Sequence, residues 1–189
     1  AKKLRSTVAH NTLDLLAATT QVQPLTAGAL PGADAATIAA LTKNVLPVPA
    51  PAKFSDNVNA ALTVMDSSKP ESAVTAALAK VSNTELTEAL TAAEDAATAF
   101  DNAIKPINKA SDAFDEQLMP GDKQTFLDFS AARLRYTSAH YDDEARLNQA
   151  IANIYELQVR KYNISAERHH QRSGKFFFGM LAAQLAVIV

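Results

Sequence analysis

The chain has 189 residues, of which 48% are hydrophobic but only 6% aromatic, and its formal net charge is -2. Alanine carries much of that hydrophobic count and buries little area per residue, so thin helical pairs suit the composition better than a wide core. The near-neutral charge lacks the basic footprint of a nucleic-acid binder, and zero cysteines exclude disulfides, zinc-thiolate sites and thiol nucleophiles. Only five glycines and no alternating β-branched runs argue against sheets, which makes the fold class all-α.

In chain order, residues 1–18 predict a short helix with Leu4, Val8, Leu15 and Leu16 roughly aligned as its apolar stripe. TTQVQPLTAGALPG then reads as a loop, and Asp34 caps an alanine-rich helix running to about Leu46. PVPAPAK at 47–53 is a polyproline-like linker. Ser55 or Asp56 caps a helix over about 56–66, and Pro70 opens another that runs to about Val81.

Asn83 or Thr84 starts the most regular stretch of the chain. Leu86, Leu90, Ala93, Ala97, Phe100, Ile104, Ile107, Ser111, Phe114 and Leu118 follow one another at spacings of four and three. That 3.5-residue period predicts a coiled-coil seam, with Pro106 lying off it. MPGD at 119–122 supplies a stop, a turn and a fresh cap. The return track reads Phe126, Phe129, Arg133, Tyr136, His140, Asp143, Leu147, Ala150, Ile154 and Leu157, apolar at its ends and polar in the middle. The expectation is an antiparallel hairpin of 84–118 against 122–156, each arm about 50 Å long.

Beyond 157 the second arm overshoots its partner. Five basic residues, at 160, 161, 168, 172 and 175, stand there against Glu167 alone, and a run without charge follows from Phe176 to Val189. Arg168, Arg172 and Lys175 form a collar beside Phe176, Phe177, Phe178, Met180, Leu181, Leu185, Val187 and Ile188, the pattern expected where a helix meets anionic headgroups. Fourteen residues make about 21 Å of helix, short of a roughly 30 Å bilayer core. The run is therefore read as the start of a membrane helix that continues past Val189, with partial insertion or burial in a soluble assembly as the alternatives. Gly174 is the expected hinge.

Other motifs carry less. Glu167 and His170 have the E-x-x-H spacing of a di-iron ligand pair, but no second copy exists. His140 and Glu144 form an i,i+4 pair, read as a surface or hairpin contact, and Asp142-Asp143-Glu144 lacks the pattern of a calcium loop and reads as a solvated face. Asn163-Ile-Ser165 is a chance glycosylation match, and no P-loop, G-x-G-x-x-G or G-x-S-x-G occurs.

The stretch AERHHQRSGKFFFGMLAAQ resembles the membrane-proximal part of an uncharacterised group of bacterial-type helical proteins. Their soluble region ends in an arginine-rich, F-F-x-x-M-L-x-A-Q-like start of a membrane helix, and the likeness covers about the last forty residues. It implies membrane attachment and carries over no catalytic residue.

Three segments follow from this reading. Residues 1–53 hold short helices and a linker, 54–156 a helical bundle with the hairpin, and 157–189 a basic stalk and the beginning of an anchor. The expected function is a non-enzymatic accessory subunit, binding other subunits of a membrane complex, respiratory or photosynthetic, or itself, and touching the lipid bilayer through the C-terminus. No catalytic residue, metal or cofactor is assigned. The alternatives are a self-associating coiled-coil membrane tether and a metal- or pigment-binding bundle using His140, His169 or His170.

Overall fold

The computed structural model describes residues 2–19, 21–30, 32–48, 51–67, 70–118 and 122–188. Among them it is all-helical and holds no strand: α1 (Lys2–Thr19), α2 (Ala35–Lys43), α3 (Asp56–Asp66), α4 (Glu71–Leu78), α5 (Asn83–Leu118) and α6 (Lys123–Ile188), with one 3-10 turn at Ala27–Ala29. The expected turn at Met119, Pro120 and Gly121 lies outside the described residues. Two compact units divide the chain, Ala1–Ala52 with Ala93–Ala150, and Lys53–Ala92 with Ile151–Val189. Both long helices contribute a segment to each.

In the first unit, α5 and α6 run antiparallel. Arg133 bonds Asp112 and, at 2.6 Å, Asp115; the Tyr136 hydroxyl donates to Asn108; and the Phe100 and His140 rings lie 5.9 Å apart. As the number falls on one helix it rises on the other. Ile107 and Phe114 of α5 pack with Phe129, Ala132 and Tyr136 of α6, and the cluster is closed by Ala40 and Leu41 of α2 and by Leu25 and Leu30 of the preceding loop. Asp34 holds the start of α2 by accepting from the Thr37 N–H at 2.7 Å, and Asn44 ends the helix in the left-handed region at φ 53°.

The apolar stripe expected for α1 is not the face that packs. Leu4, Val8 and Leu15 are exposed and only Leu16 of the four is half-buried, whereas Ser6 and Ala9 are buried. Ser6 donates to Asp142 at 2.7 Å and lies 3.3 Å from the hydroxyl of Ser138, which sits 2.5 Å from His10 Nδ1, and Arg5 stands over the Tyr141 ring. Hydrogen bonds dock this helix because α6 offers it a polar surface.

In the second unit, Val58 and Ala61 of α3, Val74 and Leu78 of α4, Leu86 and Ala89 of α5, and Ile154 and Leu157 of α6 form the core. Ser55 caps α3 through the Val58 N–H. The start of α5 is a capping box: the Glu85 N–H donates to the Ser82 hydroxyl at 3.0 Å and the Ser82 N–H donates back to the Glu85 carboxylate at 2.7 Å. That carboxylate also accepts from Ser55 and Asn57, so one side chain holds the beginnings of two helices. Hydrogen bonds from Ser82 first, then from Ser55 and Asn57, pull its pKa down to about 2.

Two expectations for the C-terminus are corrected. α6 passes through Gly174 without a break, so no hinge forms there. Nor is there a membrane-type helix: no helix among the described residues is long and apolar enough to cross a membrane. The physical reason is the close approach of Arg172 and Lys175 to a short apolar run, which brings cations into any window of spanning length.

Candidate interaction surface

Along the α5 seam, Leu86, Phe100, Ile104, Ile107, Ser111 and Phe114 are buried, while Leu90 and Leu118 are half-buried. Pro106 is exposed on the opposite side of an unbroken helix. The polar middle of the return track is absorbed by specific partners. Arg133 answers two aspartates, and His140 stacks with Tyr136 and Tyr141 beside Phe100. Burial, with the Asp112 carboxylate second, pushes the Tyr136 phenol up to about 12. Next to these groups lies a polar cavity of about 200 Å³ lined by Asn108, Ser111, Arg133, Tyr136, Thr137 and His140 among others. The Ser111 hydroxyl, which borders it, has no hydrogen-bond partner among the described residues. In this cavity the Arg133 guanidinium is paired with two aspartates and burial favours the neutral Tyr136 phenol.

The cluster Asp142-Asp143-Glu144 is not the solvated face its charge suggests. The Asp143 and Glu144 side chains are 16% and 14% exposed, with Arg146 on Asp143 at 3.3 Å and His140 4.0 Å from Glu144, and Asp142 accepts from Ser6. Among the described residues no group of three or more His, Asp or Glu side chains is placed to hold a metal ion. His169 and His170 are exposed.

The C-terminal part of α6 differs from everything before it. Arg160 is engaged by Glu156 at 2.8 Å and Glu71 at 3.7 Å, and Lys161 donates to the Val81 carbonyl at the end of the α4 turn. Two of the five basic residues of this stretch therefore serve contacts within the second unit, an engagement that charge counting alone does not show. Arg168, Arg172 and Lys175 are exposed and make no ion pair among the described residues. Immediately beyond them, Phe176 is 79%, Phe177 55% and Phe178 71% exposed, followed by Met180 and Leu181, also exposed. The side chains of Leu185, Val187 and Ile188 lie outside the described residues. Large apolar side chains in such a cluster are costly in water and mark a contact surface.

No family model matches the chain, and neither a curated protein nor a solved structure matches it.

Proposed function

We propose that the protein is a non-enzymatic structural module that rests on an anionic lipid surface through the exposed segment Arg168–Leu181 and carries other subunits of a membrane-associated assembly on its helical units. No spanning helix is invoked: the phenylalanines enter the headgroup boundary from one side while the cations meet the phosphates. The single observation that supports this is three exposed cations next to three exposed phenylalanines on one continuous helix. A binding role rather than a chemical one is supported by the Ser6–Ser138–His10–Asp142 group. Its serines are buried and its hydrogen bonds are consumed in docking α1.

Each cation near an anionic surface adds about 1 kcal/mol, so three change partitioning by roughly 100-fold. Flotation of the full chain with phosphatidylcholine vesicles, with and without phosphatidylserine, tests this. Strong binding only to the anionic vesicles, weakened by high salt and by Arg172→Ser with Lys175→Ser, is expected. No binding, or equal binding to both vesicle types, overturns the proposal.

A further inference from the structure

α6 has a second apolar stripe, exposed among the described residues. In the second unit, Ile154 and Leu157 face the core, with Lys161 and Ile164 half-buried on the same side. A different face carries Tyr155, Val159 and Tyr162, which are 47%, 57% and 57% exposed. The same register, threes alternating with fours, runs through Ala152, Tyr155, Val159, Tyr162, Ala166, His169, Ser173, Phe176, Met180 and Ala183, and every one of these positions is exposed. That is a heptad register over more than four repeats, with large apolar side chains towards its two ends and His169 and Ser173 as the polar positions between them.

We infer that this seam pairs two copies of the chain, the α6 helix of each lying along the α6 helix of the other. A second copy is the occupant that fits on three counts. A continuous 3.5-residue period calls for another helix of the same period, because a straight-helix or flat partner would lose register within a few turns. The seam carries no Asp, Glu, Lys or Arg: Arg160, Glu167, Arg168 and Lys175 fall away from it, Lys161 lies on the core side, Glu156, His170 and Arg172 flank it, and His169 is its one imidazole. Two identical seams therefore meet without opposing like charges at their centre, whereas an acidic or basic partner would find nothing there to answer it. The area also suffices. With about 200 Å² for a large side chain, the exposed parts of Tyr155, Val159, Tyr162, Phe176 and Met180 provide on the order of 500 Å² per copy and roughly 1,000 Å² per pair, the lower bound for a specific interface.

The pairing goes beyond the lipid-surface reading and does not depend on it: it takes up Phe176 and Met180, while Phe178 and Leu181 lie off the seam and are left to lipid. Light scattering on the full chain across a concentration series is expected to give twice the chain mass of 20.1 kDa. Val159→Glu with Tyr162→Glu, both exposed in the folded chain, should yield the monomer with helix content and melting temperature of the monomer fold intact. Gln171→Glu, on the outward face, should leave the pair unchanged. Phe178→Ser should lower vesicle binding and leave the mass doubled, which separates failure of one proposal from failure of the other. A wild-type chain that stays monomeric throughout the series, or a doubled mass that survives both glutamates, overturns the inference.

Discussion

Replacing Phe100 by alanine removes the most deeply placed aromatic side chain of the α5 seam. Its ring is fully buried and lies 5.9 Å from the His140 ring at a tilt of 46°. Deleting a buried phenylalanine costs about 3–5 kcal/mol through lost transfer energy and the cavity left behind. In a chain of this size each kcal/mol lowers the melting temperature by about 2–4 °C, so a fall of roughly 6–20 °C is expected. Thermal melts followed by circular dichroism at the helical band provide the measurement. Glu88→Ala is the control, because Glu88 is exposed on the same helix and its loss should stay within about 0.5 kcal/mol. Ile104→Asp, which puts a carboxylate into the seam, should be worse than Phe100→Ala. A Phe100→Ala melt within two or so degrees of Glu88→Ala, by the same scale, would show that the seam does not organise the first unit.

Two further outcomes depend on pH. Glu85 has its pKa lowered to about 2 from 4.5, so its contribution is complete above 4.5 and is lost as pH falls through 2. Glu85→Gln should flatten that decline, and melts between neutral and acid pH that fall in parallel for both proteins would refute it. Tyr136 is shifted the other way: its folded pKa of about 12 exceeds the ordinary 10, so its neutral form stabilises fully below 10 and the benefit fades as pH rises toward 12. Tyr136→Phe should cost about 1 kcal/mol at pH 8, where the bond to Asn108 is lost, and nothing net near pH 11, where the wild type has given up about 1.4 kcal/mol, as read by urea unfolding.

Periodicity made α5 legible because its partner surfaces are apolar, and a stripe of large side chains then has one place to go. Asp34 and Ser55 were legible as caps for the same local reason: each has its first free N–H three residues ahead. The Ser82–Glu85 box carries an equally local signal, serine three residues before glutamate, and marks the helix start more sharply than Asn83 or Thr84. α1 was not legible, since Leu4, Val8 and Leu15 outline a face that the rest of the chain does not cover, and the complementarity of Ser6 and His10 with Ser138 and Asp142 spans over a hundred residues. The roles of Arg160 and Lys161 were hidden likewise, by partners at Glu71 and Val81. On α6, following the track that ends at Ile154 and Leu157 drew attention from the adjacent face of Tyr155, Val159 and Tyr162. The run from Phe176 reads as the start of a membrane helix, and no helix among the described residues is long and apolar enough to cross one.

The polar docking of α1 changes what it means for that helix to leave. A helix seated on grease exposes apolar area when it lifts, and water opposes the move; α1 would expose serine hydroxyls, an aspartate and an imidazole, all of which water satisfies. Its polar contacts contribute about 1 kcal/mol net each, beside the small apolar burial of Ala9. With Leu4, Val8 and Leu15 exposed, the loss of α1 from α6 would uncover mainly groups that water can satisfy.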